Sequence, residues 1–87
     1  MRFSHTENIF SSVLLRVSRH MLDMAVEEDG QLVVQGDQHA IAEAVGSVRE
    51  VVARAVRKLR DEGVLIRSDK GLVIVDHSRM VEFSRHR

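Results

Sequence analysis

The sequence predicts an α+β fold, in which helical segments alternate with short strand-like segments. In the longest segments, apolar residues recur every three to four positions, which is the spacing of one face of an α-helix. Between these segments lie short runs rich in Val, Ile and Leu that are bounded by glycine, as is typical of strands and hairpins. The chain has 87 residues, which is the length of one small domain.

Local signals give the order of the elements. Apolar residues step by four from Ile9 to Met21, which predicts a long first helix. Asp37 is a favourable N-cap, and Gly46 and Gly63 tolerate the positive φ with which helices often end. The predicted elements are a tail at 1–7, a helix at 8–28, a strand at 31–35, a helix at 37–45, a helix at 48–62, a wing at 64–75 and a helix at 77–84.

A short helix and a longer helix joined by a glycine turn form a helix-turn-helix, and the hairpin that follows makes this a winged helix. We therefore expect a winged helix-turn-helix with a long N-terminal helix, a small β-sheet with its wing, and a short C-terminal helix. In such folds the second helix of the motif lies in the DNA major groove, with its N-terminal residues against base edges.

The charge of the chain is unevenly distributed. The formal net charge is zero, yet residues 49–70 hold seven of the 13 Arg and Lys residues. A basic helix followed by a basic hairpin indicates a surface for a polyanion. Charge alone does not separate this interpretation from an ordinary solvated surface.

One face of the predicted helix 48–62 carries the candidate base contacts. Arg49 and Arg54 project from its N-terminal half, and arginine can donate two parallel hydrogen bonds to guanine. Glu50 can accept a hydrogen bond from a cytosine amino group, or it can close a capping box with Ser47. Both roles of Glu50 stay open at this point.

Other basic residues are candidates for phosphate contacts. Arg57, Lys58 and Arg60 lie further along the same helix, where phosphates are the expected partners. Arg67 and Lys70 lie on the predicted hairpin and are expected to reach another phosphate. The alternative is an ordinary solvated helix, in which such residues pair with acidic neighbours four positions away.

The first helix has more apolar residues than one face requires. These residues form a second apolar stripe along the helix. If this stripe is exposed to solvent, it marks a surface for a partner. We expect homodimerisation through Ile9, Phe10, Val13 and Leu14. The alternative is that both stripes pack within the chain.

Several classes of protein are excluded or disfavoured. The chain has no Cys, which excludes disulfides and zinc-thiolate sites. No apolar run approaches the roughly 20 residues of a membrane helix, and the N-terminus lacks the apolar region of a signal peptide, so we expect a cytoplasmic protein without a membrane partner. The five His residues show no close metal-ligand spacing, and no catalytic motif is present, so neither a metal site nor an enzyme is predicted.

RNA binding is disfavoured because the aromatic residues are expected to lie outside the binding face.

Residues 32–76 resemble the C-terminal DNA-binding domain of the CRP/FNR family of bacterial transcription regulators. The helix at 8–28 also resembles the helix that joins this domain to the family's sensor domain. The residues that carry the resemblance are Ile41-Ala42, Val45-Gly46, Arg49-Glu50-Val51-Val52-Ala53-Arg54, Leu59, Glu62-Gly63-Val64-Leu65 and Gly71-Leu72-Val73-Ile74-Val75-Asp76.

The resemblance implies binding to a palindromic promoter site as a dimer, with TGTGA-like half-sites and a possible contact with RNA polymerase. It implies base contacts by Arg49, Glu50 and Arg54. The family's N-terminal sensor, a β-roll that binds a cyclic nucleotide or another effector, has no counterpart in this sequence. We expect the DNA-binding domain of a longer regulator, or else a short stand-alone protein, and no cofactor in this chain.

Three positions depart from the family pattern. Val48 and Val51 stand where the family usually has hydroxyl residues, and Asp37 opens the first helix of the motif in place of Thr or Ser. Ser47 is expected to supply a phosphate contact in place of Val48. The departures reduce the expected affinity, and they leave open an alternative function as a protein-interaction or dimerisation module without specific DNA binding.

Overall fold

A computed structural model describes the backbone of residues 5–85 and the side chains of residues 9–85. This part of the chain forms four helices and four strands. In chain order they are α1 (His5–Met24), β1 (Ala25–Glu28), β2 (Gln31–Val34), α2 (Gln38–Val45), α3 (Arg49–Asp61), β3 (Leu65–Ser68), β4 (Gly71–Ile74) and α4 (His77–Arg85).

The four strands form one antiparallel sheet in the order β1-β2-β4-β3. Its two central strands pair through Val33 and Val73, both of which are buried. The wing hairpin of β3 and β4 therefore continues the sheet that β1 and β2 begin. This continuity attaches the wing to the body of the domain on the side of β2.

The first helix differs from the predicted helix over 8–28. It begins at His5, within the predicted tail, and ends at Met24. Residues 25–28 form β1 because they pair with β2 across a two-residue turn, Asp29-Gly30, in which both residues have positive φ. Asp-Gly with positive φ at both positions is the signature of a tight hairpin, so this dipeptide starts a strand pair and does not only stop a helix.

The helix-turn-helix forms as the local signals predict. The N-cap carboxylate of Asp37 accepts a hydrogen bond from the backbone N–H of Ala40 at 3.0 Å. Gly46 ends α2 in the left-handed region, at φ 69°, and its N–H donates to the Ala42 and Glu43 carbonyls. A residue with a Cβ is strained at this φ, so glycine permits the short connection to α3.

The core lies between α1, the two helices of the motif and the inner face of the sheet. Val17, Met21 and Ile41 are fully buried there, together with Leu59 of α3 and Met80 of α4. These residues come from every helix of the domain, and within this shared core α3 packs mainly against α1 and α2.

Candidate nucleic-acid interface

Helix α3 has one buried face and one exposed face. Val52, Ala55, Val56 and Leu59 are buried in the core. Arg49, Glu50, Ala53 and Arg54 are exposed, as are Arg57, Lys58, Arg60 and Asp61. The helix is therefore held by its apolar stripe while a mainly basic surface faces solvent.

The three predicted base contacts lie together in the first two turns of α3. The structure begins this helix at Arg49 with Val48 as its N-cap, and Val48 offers no side-chain hydrogen bond. Among the described side chains, Ser47 and Glu50 do not form the reciprocal hydrogen bonds of a capping box. The carboxylate of Glu50 is thus exposed beside Arg49 and Arg54.

Arg54 has an aromatic neighbour that no local pattern in the sequence predicts. Its guanidinium carbon lies 5.0 Å from the centroid of the Phe10 ring, within the range of a cation–π contact. From the sequence, Phe10 is expected in a dimer interface, and the aromatic residues are expected to lie outside the binding face. The structure instead brings the Phe10 ring to Arg54, one of the predicted base contacts, because α1 passes beside this exposed arginine of α3.

Three arginines line a groove between α3 and the edge strand β3. We call this the arginine groove; it has a volume of about 500 Å³ and is lined by Arg57, Arg60, Asp61, Leu65, Ile66 and Arg67. The sequence predicts phosphate contacts for both Arg57 and Arg67, and the fold brings them to one concave surface. A backbone phosphate is small enough to enter a groove of this size.

The arginines and the lysines differ in their ion pairs. Lys58 pairs with Glu62 at 3.3 Å, and Lys70 pairs with Asp29 at 2.7 Å. Among the side chains of residues 9–85, Arg49, Arg54, Arg57, Arg60 and Arg67 make no ion pair. The two lysines expected to contact phosphate are therefore partly neutralised by neighbours, whereas these arginines are not.

Glu62 is also bound by Arg79 of α4. The two nitrogens of the Arg79 guanidinium donate to the Glu62 side chain at 2.7 Å and to its backbone carbonyl at 2.8 Å. The hydrogen bond from Arg79, followed by that from Lys58, holds the pKa of the Glu62 carboxyl below its ordinary value. This pair ties α4 to the end of α3 and so fixes where α3 meets the wing.

Arg16 of α1 binds the C-terminal end of α2, just before the turn that leads to α3. Its guanidinium donates a hydrogen bond to the backbone carbonyl of Val45 at 2.7 Å. Val45 is the last residue of α2, where a helix leaves carbonyls without partners and a cation is favoured. No local pattern in the sequence predicts this contact, because the two residues are 29 positions apart.

The four residues predicted to form a dimer interface lie in different environments. Val13 is 1% exposed and belongs to the core, so its side chain is not available at the surface. Phe10 and Leu14 are partly buried against the core. Ile9 is 54% exposed and lines an apolar groove of about 810 Å³ with Val48 and Val51.

Membrane spans and metal sites are both absent from the described residues. No helix in this part of the chain is long and apolar enough to cross a membrane. Within the same residues, no three His, Asp or Glu side chains come together as a metal site.

Comparison with known proteins finds one matching family model. Residues 15–83 match the model described as a Crp-like helix-turn-helix domain. These residues include the whole of α2, α3, the wing and the sheet. A comparison with curated proteins finds no match.

Solved structures show the same fold. A transcriptional regulator of the CRP/FNR family from Thermus thermophilus is 30% identical, with a TM-score of 0.64 over 93% of this chain. The reduced, Fe(II) form of the CO-sensing protein from R. rubrum is 23% identical, with a TM-score of 0.82 over 90% of this chain. DNR from Pseudomonas aeruginosa is 22% identical, with a TM-score of 0.71 over 88% of this chain.

All three of these proteins are longer than the part that matches. This chain spans 41%, 38% and 36% of their respective lengths. The likeness to the CO-sensing protein and to DNR is a likeness of fold.

Proposed function

This chain belongs to the Crp-like helix-turn-helix family, and from that premise we propose that it binds double-stranded DNA sequence-specifically in transcription regulation, with α3 in the major groove. The observation that carries the proposal is the exposed face of α3. Arg49, Glu50 and Arg54 share the N-terminal half of this face, opposite the stripe that holds the helix on the core. In a helix-turn-helix, that half of the second helix meets the base edges.

The three side chains have complementary chemistry toward a G·C-containing site. Arg49 and Arg54 each present a planar fork of donors, which matches the O6 and N7 acceptors of guanine. Glu50 presents acceptors alone when it is ionised, which suits the amino group of cytosine. Ala53 lies between them and is small, so the helix can approach the floor of the groove closely.

The phosphate contacts of the proposed complex involve several elements. The arginine groove supplies Arg57, Arg60 and Arg67, which are unpaired among the described side chains. Ser47 in the turn before α3 is a further candidate, as are Lys58 and Lys70 once their acidic partners release them. Exposed ion pairs are worth about 0–1 kcal/mol, so a phosphate can compete with Glu62 or Asp29 for these lysines.

We expect the target to be a palindrome bound by two copies of the chain. Half-sites for such dimers lie about one helical turn of DNA apart. The test is a titration, at one fixed salt concentration, of a palindromic duplex with TGTGA-like half-sites against a scrambled duplex of the same composition. The proposal predicts tighter binding to the palindrome.

Variants assign the roles of the arginines. Arg49→Ala and Arg54→Ala should each cost about 1–3 kcal/mol on the palindrome and relax base preference at one position of the half-site. Arg67→Ala should weaken binding to all duplexes alike. It should also reduce, by roughly one, the slope of the logarithm of the binding constant against the logarithm of the salt concentration. Arg85→Ala, at the exposed end of α4, is the matched control and should change neither quantity.

Equal binding to the palindrome and to the scrambled duplex would contradict the proposal. The second candidate, a protein-interaction module without specific DNA binding, is favoured by the apolar groove around Ile9 and Val48. Under that alternative, substitution of Ile9 would change association with a protein partner, whereas Arg67→Ala, which lies outside the apolar groove, would have no effect on it.

A further inference from the structure

The contact between Phe10 and Arg54 joins two distant parts of the chain at the proposed reading surface. Phe10 lies in α1 and Arg54 lies on the exposed face of α3. The guanidinium carbon is 5.0 Å from the ring centroid. The contact thus connects the helix that precedes the motif with one of the proposed base contacts.

Phe10 is held in place by the packing of its own helix. It lies three residues before Val13 and seven before Val17, so it continues the stripe by which α1 meets the core. Its ring is partly buried and packs against the core cluster. A side chain supported in this way offers a fixed surface to the longer, exposed arginine.

Stacking on a ring leaves the hydrogen-bonding donors of an arginine available. The guanidinium is planar, its five N–H groups lie in that plane, and the ring contacts its face. Arg79 in the same protein illustrates this arrangement: it lies 5.6 Å from the centroid of Phe83 and also donates two hydrogen bonds to Glu62. Arg54 can therefore remain on Phe10 while its edge bonds to a base.

We propose that Phe10 is a positioning residue for base recognition, because its ring holds the Arg54 guanidinium in the orientation that reads one base pair. This inference rests on the proposed DNA binding and adds a specificity-determining residue outside the helix-turn-helix. Long arginine side chains lose rotamer freedom when they bind. A ring that already restricts Arg54 in the free protein reduces the entropy lost on binding the correct base pair. This gain in affinity is absent when the base pair has no guanine for Arg54 to bond.

The test measures discrimination at the base pair that Arg54 reads, in the full 87-residue chain. Phe10→Leu keeps an apolar side chain but removes the ring. It should lower discrimination at that base pair about two- to five-fold, the factor that corresponds to a cation–π contact of about 0.5–1 kcal/mol. Phe10→Trp should restore discrimination, since tryptophan offers the best ring for a cation.

Two controls separate positioning from general stability. In an Arg54→Ala background, Phe10→Leu should have no further effect on discrimination, as a double-mutant cycle requires. Phe83→Leu removes the other arginine–phenylalanine contact found among the described residues and should leave discrimination unchanged. Thermal unfolding of each variant shows whether it is folded.

Nuclear magnetic resonance of the free protein tests the contact without DNA. The side-chain Nε–H signal of Arg54 should shift in Phe10→Leu, because the ring current is lost, and should not shift in Phe83→Leu. An unshifted Arg54 signal overturns the inference even if DNA is bound specifically. So does an equal effect of Phe10→Leu on all duplexes, or an effect that persists in the Arg54→Ala background. Equal binding of the wild type to every duplex overturns the proposed function instead. In that case the Arg54 signal still shows whether Phe10 contacts Arg54 in the free protein.

Discussion

At the scale of single residues, the arginines and the lysines of the proposed interface differ in their ion pairs. Lys58 and Lys70 have acidic partners, whereas the arginines of α3 and β3 have none among the described side chains. A guanidinium forms two parallel hydrogen bonds with a base edge or a phosphate, and an ammonium acts as a point charge. We infer that the arginines provide the directional contacts. The lysines add a non-specific attraction to DNA, and their acidic partners reduce it.

A substitution at Asp29 tests whether its ion pair with Lys70 reduces the non-specific attraction of Lys70 to DNA. Asp29 holds Lys70 at 2.7 Å, across the tips of the two hairpins. Asp29→Asn should release Lys70 and strengthen binding to all duplexes alike, with no change in base preference. Asparagine tolerates the positive φ of 53° at this position, so the turn should be preserved. The measurement is affinity for the palindromic and scrambled duplexes at fixed salt.

The control is the same substitution in a Lys70→Ala background. There the gain should be smaller, because only the repulsion between Asp29 and the phosphates is removed. A gain of equal size in both backgrounds would mean that the ion pair does not restrain Lys70.

At the scale of elements, α1 and α4 bind the two segments of chain that flank α3. Arg16 of α1 bonds to the carbonyl that ends α2, just before α3 begins. Arg79 of α4 bonds to Glu62, just after α3 ends. The first contact holds the turn before α3 and the second holds the approach to the wing, so the orientation of α3 depends on elements outside the motif.

The contact of α4 with α3 predicts a dependence of stability on pH. The pKa of Glu62 is lowered from its ordinary value of 4.5, first by the hydrogen bond from Arg79. A carboxyl whose pKa is lower in the folded state stabilises that state above its unfolded pKa, and this stabilisation is lost as pH falls through the folded pKa. The difference in unfolding free energy between wild type and Glu62→Gln should therefore shrink as the solution is acidified from neutral pH.

Denaturant unfolding at a series of acidic pH values measures this difference. Glu27→Gln removes an exposed carboxylate of β1 and is the matched control, for which we expect little change at any pH. The pKa of Asp37 is also lowered, chiefly by the N–H of Ala40, so some acid sensitivity should remain in Glu62→Gln. A constant difference between wild type and Glu62→Gln across the acidic range would contradict the prediction.

At the scale of the whole molecule, the domain is elongated. Its extents are 47 × 24 × 19 Å, and α1 with its 20 residues is about 30 Å long at 1.5 Å per residue. The N-terminal half of α1 carries the exposed side chain of Ile9. We propose that a second copy of the chain contacts Ile9 at this end of α1. Because Ser47 and Arg49 line the same groove, this contact has to leave both residues accessible to DNA.

Sedimentation tests the dimer with Ile9→Glu. Wild type should associate weakly at high concentration and Ile9→Glu should not, because a carboxylate would have to be desolvated in the interface. Val26→Glu places the same charge at another exposed apolar position, on β1, and should associate as the wild type does. Monomeric wild type at all concentrations would contradict the proposal. Val13→Glu is unsuitable, since Val13 is in the core and its loss would unfold the domain.

The sequence predicted most of the fold because its signals are local. The apolar stripe of α3, the N-cap at Asp37 and the glycine turn at Gly46 each involve residues within a few positions of one another. The strand β1 does not follow from signals of this kind. Its residues Ala-Val-Glu-Glu have no strong alternation, and they form a strand only because β2 supplies hydrogen-bonding partners across the Asp29-Gly30 turn.

The sequence by itself determined the helix-turn-helix, the wing and the basic face of α3, since periodicity, caps and turn residues act along neighbouring positions. The tertiary structure alone decided that Phe10 lies against Arg54, that Lys70 is held by Asp29 and that Val13 is core. Each of these depends on residues that are distant in the chain and become neighbours only when the elements pack. No local period encodes such contacts, because their distances are set by the packing of whole helices and strands.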